Sequence, residues 1–166
     1  MIVIELLVLL LVILFIVFVF VVFFGAPYVP TLAEQRKNAL NLLNLKKGQT
    51  LYELGSGDGS LLLDAAARGL NTVGYELNPV LVLISRWRGR HYRDQIKVVW
   101  GNFWNADFSR ADAIFVFQMD YSMKKLEAKI KKETEGKPFR VASNAFKIPG
   151  KKPAKKSGAV FLYTYP

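Results

Sequence analysis

Cysteine is absent from the 166 residues, and histidine occurs once, at His91. Without a thiol the chain forms no disulfide, carries no thiolate nucleophile and builds no thiolate zinc site. One histidine cannot assemble a metal cluster, and His91 reads as a surface residue among Arg88, Arg90 and Arg93, so no metal is expected. Charge is missing from the first 24 residues except at Glu5, and no Lys or Arg precedes Arg36. Internal repeats are absent. The interleaving of basic and aromatic residues that single-strand binders use is missing too, which argues against a nucleic-acid partner.

What stands at the start of the chain is an apolar run, Met1 to Phe24. About 20 apolar residues cross the hydrocarbon core of a bilayer, so the run predicts one transmembrane helix. It is too long for the apolar part of a signal peptide, and no basic residue leads it. Its Val, Ile and Phe are acceptable in lipid, where the backbone must bond internally. Arg36, Lys37, Lys46 and Lys47 follow it. The positive-inside rule then predicts a single-pass membrane protein with the rest of the chain on the cytoplasmic side. All 23 Lys and Arg lie beyond residue 24, so that part carries +11, one more than the whole chain's +10. Such a balance favours anionic partners, here an anionic lipid surface.

The remaining residues suffice for one α/β domain. Gly25 to Thr31 reads as a stiff, proline-bearing connector, followed by a helix to about Leu45 with Thr31 as cap and Glu34 as capping-box partner. A folded domain is expected over 49–166, behind a connector and helix at 25–48. Within it strands are predicted at Thr50–Leu54, Asn71–Glu76, Ile96–Trp100, Ala113–Phe117, Arg140–Ala145 and Ala159–Tyr163. Helices are predicted at Ser60–Arg68, Pro79–Arg90 and Ser122–Glu135. Alternation of short apolar strands with helices argues a Rossmann-like parallel sheet with flanking helices. No helix separates the last two strands, only the lysine-rich loop Lys147–Lys156, so the final strand is expected to run antiparallel. The helix Pro79–Arg90 has two readings. Val80, Leu81, Leu83, Ile84 and Trp87 face the core beneath a solvated basic end, or Trp87 and the arginines rest on a lipid interface.

The residues that carry chemistry follow the first strand. Glu53-Leu-Gly55-Ser56-Gly57-Asp58-Gly59 places three glycines at alternate positions between strand and helix, where a ligand must lie against bare backbone. Glu76 ends the next strand, 19 residues beyond Gly57, in position to accept hydrogen bonds from a ribose diol. The pattern is not that of a dinucleotide site, because Ser60 stands where the third glycine belongs. Glu53 would also repel a diphosphate. A carboxylate there suits a ligand with a cationic end, such as S-adenosylmethionine with its sulfonium and ammonium. After the third strand, Asn102 can bond an adenine amino group and Phe103 can cover the ring. Asn102 as a plain turn residue is the alternative.

E-x-G-x-G-x-G resembles the first motif of class I S-adenosylmethionine-dependent methyltransferases. With Tyr28-Val-Pro30-Thr31 after an apolar segment, Val73-Gly-Tyr75-Glu76-Leu77-Asn78-Pro79 and Phe117-Gln118-Met119, the chain resembles one narrower family almost throughout. That family is the membrane-anchored protein-lysine methyltransferases that modify the adenine nucleotide translocase and the ATP synthase c-subunit. The resemblance implies a class I methyltransferase domain over 49–166. It also implies S-adenosyl-L-methionine contacts at Pro30, Thr31, Glu53, Gly55, Ser56, Gly57, Asp58, Gly59, Glu76, Leu77, Asn102, Phe103 and Gln118. Two departures are visible: Asn102 stands where the family usually has Asp, and Gly101-Asn102-Phe103-Trp104 is more aromatic.

The fourth strand leads into Gln118-Met119-Asp120-Tyr121, where the methyl acceptor normally enters. The N/D-P-P-Y/F motif of amide and base-amine methyltransferases is absent. A lysine amine must be neutral and aligned, so Asp120 and Tyr121 are the candidates for orienting it or taking its proton, with Asp120 alternatively a helix N-cap. Three functions are therefore open: methylation of a lysine on a membrane protein, methylation of a lipid or small membrane-associated acceptor, and a non-catalytic cofactor-binding membrane scaffold.

Overall fold

The computed structural model describes residues 2–24 and 29–166, with side chains described at 2–16, 18 and 29–166. Residues 25–28 of the expected connector, Tyr28 among them, lie outside the described residues. Helix α1 runs Ile2–Phe24, and its described side chains are exposed. Among the described residues no helix is long and apolar enough to cross a membrane. The expected transmembrane span is corrected on this finding. With it go the single-pass membrane localisation and its cytoplasmic orientation.

The elements that follow are α2 (Ala33–Leu43), β1 (Thr50–Leu54), α3 (Ser60–Ala66), β2 (Asn71–Glu76), α4 (Pro79–Arg88), β3 (Ile96–Trp100), β4 (Ala113–Val116), α5 (Asp120–Glu133), β5 (Phe139–Asn144), β6 (Lys155–Ser157) and β7 (Val160–Tyr165). They build one seven-stranded sheet in the order β3-β2-β1-β4-β5-β7-β6. The first five strands are parallel, and β7 pairs antiparallel with β5 from Phe139↔Tyr165 to Asn144↔Val160, as expected. The lysine-rich loop departs from expectation. Its end forms β6, a short edge strand paired with β7. Exposed lysines there keep the edge polar.

Strand period two explains the two layers. Leu51, Ala113 and Phe115 point to one face and share a core with Ala39, Leu40 and Leu43 of α2 and Leu61 and Ala65 of α3. Tyr52, Leu54, Ile114 and Val116 point to the other, where Met123, Leu126 and Ile130 of α5 cover them. Helix α2 therefore packs as part of the sheet's own core. Its start also differs from expectation. Leu32, not Thr31, is the N-cap, and the backbone N–H of Leu32 donates to the Gln35 side chain at 3.3 Å rather than to Glu34.

Helix α4 reverses the core-facing reading. Val82, Ser85 and Gly89 are buried, while Val80, Leu83, Ile84 and Trp87 are exposed. Four apolar residues at spacings of three and four thus point outward. The reason lies on the inner side, where small residues admit close packing and Arg88 reaches the glycine loop.

Candidate functional site

Parallel strands put their carboxyl ends on one edge, and the first two bring the glycine loop and Glu76 together there. The loop is fixed by its own backbone. The N–H groups of Gly55 and Ser56 both donate to the carbonyl of Tyr75 at 2.9 Å, and Gly59 donates to Ser56 at 2.9 Å. Gly59 is the N-cap of α3 at φ +78°, a left-handed conformation that suits glycine. A Cβ there would lie 2.2 Å from Ser85 Oγ, so α4 also needs the glycine for its approach. At Gly74 a Cβ would fall 2.6 Å from both Leu62 and Ser56 Oγ, which explains a glycine inside β2.

Glu76 is braced at both oxygens. Oε2 accepts from the Gly57 N–H and Oε1 from the Asn78 N–H, each at 2.8 Å. These bonds hold the carboxylate against the loop and leave lone pairs for a further donor. Asn78 in turn caps α4, accepting from Val80 at 2.9 Å, which orders the strand-to-helix turn.

Glu53 shares the face of Leu51, the side covered by α2 and α3. It is 5% exposed, and its Oε2 has no hydrogen-bond partner. Burial, reinforced by the charges of Asp58 and Glu76, holds its carboxyl well above the ordinary carboxylate range. A buried carboxylate without a partner is costly, so a cationic group beside it is strongly favoured.

Asp58 behaves oppositely. Burial pushes it upward, but hydrogen bonds from Ser60 and the charge of Arg88 outweigh that and hold it below its ordinary value. The Arg88 guanidinium bonds Asp58 Oδ2, the Asp58 carbonyl and Ser60 Oγ. Helix α4 is thereby clamped to the loop.

These groups surround a cavity of about 280 Å³. Pro30, Thr31 and Arg36 close its α2 side, with Arg36 donating to the Thr31 carbonyl at 2.7 Å and to Asp64 at 2.6 Å. Leu77, Leu81 and Phe103 supply apolar wall. Phe117, Gln118, Met119 and Phe146 form the end beyond β4 and β5. The rings of Phe117 and Phe146 stand 6.1 Å apart and tilted by 32°. Phe146 is presented by Ala145, whose φ of +65° is uncommon for a residue other than glycine; such local strain clusters at functional sites.

The size, the unpartnered Glu53 carboxyl oxygen and the braced carboxylate of Glu76 fit an adenosine-bearing ligand with an ammonium end. A family model described as the ANTKMT methyltransferase domain matches residues 53–155. The chain belongs to that family. It is 37% identical over 127 residues to the ATP synthase c-subunit lysine N-methyltransferase of Xenopus laevis, covering 74% of this chain and 54% of that protein. Against the protein-lysine N-methyltransferase of Saccharolobus islandicus it is 30% identical over 133 residues, covering 76% of this chain and 81% of that protein. The chain spans about half the length of the Xenopus laevis enzyme that it matches. A solved RNA methyltransferase from Salinibacter ruber, in complex with S-adenosyl-L-homocysteine, shares the fold with a TM-score of 0.75. The identity is 25%, over 83% of this chain and 94% of that one. The fold is thus that of S-adenosylmethionine-dependent methyltransferases.

Of the residues singled out in the sequence, Pro30, Thr31, Glu53, Gly55, Ser56, Gly57, Asp58, Glu76, Leu77, Phe103 and Gln118 line the cavity. Gly59 supports it from behind as the helix cap. Asn102 is not part of the wall; its side chain accepts from the Trp104 N–H at 3.0 Å and caps a short turn. Asp120 and Tyr121 stand in the first turn of α5, exposed and outside the wall, with Met119 as the N-cap. Sequence reasoning missed Arg36, Leu81, Phe117, Met119 and Phe146. Phe117 and Met119 flank the selected Gln118, and the carboxyl-edge rule applied to β5 would have pointed toward Phe146. Nothing in the local sequence marks Arg36, which reaches the cavity from α2.

Proposed function

We propose that this chain binds S-adenosyl-L-methionine in the cavity and transfers its methyl group to the side-chain amine of a lysine on a protein, with a membrane protein as the most fitting substrate. The carrying observation is the buried, unpartnered carboxylate oxygen of Glu53. It fits the cofactor's α-ammonium, while Glu76 fits the ribose diol and Leu77, Leu81 and Phe103 fit the adenine. The family and the lysine methyltransferases it matches support lysine as acceptor.

Bound S-adenosylmethionine supplies an electrophilic methyl on a sulfonium. The chain's part is placement and proton handling. Glu53 would hold the cofactor's ammonium and Glu76 its ribose, and Phe117, Met119 and Phe146 wall the end of the cavity left for the acceptor. These apolar side chains accept the aliphatic stem of lysine and exclude water from its amine. Desolvation there would lower the pKa of a lysine ammonium and leave its neutral amine as the nucleophile toward the methyl that the cofactor would supply. Asp120 and Tyr121, exposed at the start of α5, are the groups proposed to orient the ammonium or take its proton.

The test is incubation of purified protein and methyl-labelled cofactor with membranes and extract from cells lacking it. Label on lysine in protein, located by mass spectrometry, is the expected result. Label confined to lipid or to RNA overturns the lysine assignment, and absence of cofactor binding by calorimetry overturns the cofactor assignment.

A further inference from the structure

The outward stripe on α4 has no role in the cavity. Val80, Leu83, Ile84 and Trp87 are 50%, 65%, 39% and 66% exposed, although each is a residue that a folded domain ordinarily covers. Trp100, exposed on neighbouring β3, donates its indole N–H to the Leu77 carbonyl beside the start of α4. The rim is cationic. Residues 79–94 hold Arg86, Arg88, Arg90 and Arg93 against one carboxylate, Asp94. Of these cations only Arg88 is paired with a carboxylate among the described residues. The Arg90 guanidinium stacks over the Trp87 ring at 4.5 Å and donates to the Trp87 carbonyl, so indole and cation form one exposed unit.

We propose that the α4 face is a docking surface for an anionic lipid surface, lying flat with its stripe at the headgroup boundary. Three considerations select this occupant. An apolar stripe ending in tryptophan and rimmed by arginines is the composition of interfacial helices, whose apolar side chains enter the boundary while cations meet phosphates. A second copy of the chain is disfavoured, because a two-fold pairing through this face would set its own arginines against each other. A stable protein interface engages about 20–30 residues on each side, and this stripe offers a single short helix face. The contact is peripheral and involves no span. Through the Arg88 clamp on Asp58, it holds the glycine loop and the cavity mouth near the bilayer surface.

The test reads Trp87 itself, so other apolar surface of the chain does not confuse it. The full chain carrying Trp100→Phe and Trp104→Phe leaves Trp87 as the only tryptophan. Its emission is followed against phosphatidylcholine vesicles with and without phosphatidylglycerol, each containing lipid brominated near the headgroup. Quenching with the anionic vesicles, reversed by salt, is expected. Arg93→Gln is expected to raise the lipid concentration at half-quenching roughly five-fold, the effect of removing one cation near a charged bilayer. Should the double variant lose its fold, the difference between the unmodified chain and Trp87→Phe gives the same reading. Four results overturn the proposal: no quenching by anionic vesicles, equal and salt-insensitive quenching by both vesicle types, a Trp87 shift that follows protein concentration without lipid, or one that requires an added acidic protein.

Discussion

Replacing Glu53 by glutamine separates what this carboxylate costs the empty fold from what it contributes to the bound one. Glu53 is buried with one oxygen unpartnered, and burial raises its value well above the ordinary carboxylate range. Its linkage to stability has the opposite sign to that of a salt-bridged acid. The folded chain keeps a proton at pH values where the unfolded chain has lost it. That contribution is fully present below the ordinary carboxylate value and is lost as pH rises through the raised one. Glutamine keeps the shape and removes the charge. The unliganded variant is therefore expected to be more stable than the parent at neutral pH, with a flatter dependence of stability on pH above the carboxylate range.

Binding is expected to move the other way. A hydrogen bond to a charged partner contributes about 1.5–3 kcal/mol, so affinity for S-adenosylmethionine falls roughly 10- to 150-fold in Glu53→Gln. In the parent, an ammonium arriving beside Glu53 drives its proton off, and calorimetry in buffers of different ionisation enthalpy is expected to show release of up to about one proton per cofactor. Denaturant melts from acid to neutral pH complete the assay. A variant with unchanged affinity, no proton release in the parent, or an unliganded variant less stable than the parent at neutral pH would refute the reasoning.

Three further outcomes are expected. Glu76→Ala removes the acceptor braced by Gly57 and Asn78 and is expected to weaken cofactor binding by roughly 1–3 kcal/mol while the protein remains folded by circular dichroism; unchanged affinity by calorimetry would sink its assignment to the ribose. Gly59→Ala puts a Cβ 2.2 Å from Ser85 Oγ at a left-handed φ and is expected to destabilise by about 1–3 kcal/mol in urea melts. A Gly59→Ala/Ser85→Gly double variant should recover the clash part but not the backbone part. Phe108→Ala empties a fully buried site between the sheet and α5 and is expected to cost about 3–5 kcal/mol with cofactor affinity preserved in the folded fraction, measured by melts and calorimetry.

Where chemistry depends on residues close in the chain, the sequence alone was sufficient. The strand, glycine loop and helix from Thr50 to Ala66 use local signals, namely a short apolar run, left-handed turns and a helical period. Glu76 follows at the spacing that one parallel crossover imposes. The antiparallel final strand was legible because no helix stands between Asn144 and Val160.

Tertiary structure decided what periodicity cannot express. An apolar stripe at helical spacing says that α4 has two faces, not which one meets the sheet. Ser85, Gly89 and the reach of Arg88 to Asp58 turned the small side inward and Val80, Leu83, Ile84 and Trp87 outward. Asn102 and Glu53 are both polar residues near strand ends, yet the first bonds its own turn while the second is sealed beneath α2 and α3 without a partner. Arg36 enters the cavity from α2 and Phe146 from the loop after β5, and it is packing that brings both against the glycine loop. The apolar composition of 1–24 predicted a span, whereas no described helix is long and apolar enough to make one. Short-range geometry is written in neighbouring residues, but burial, pairing and facing depend on which distant surfaces meet.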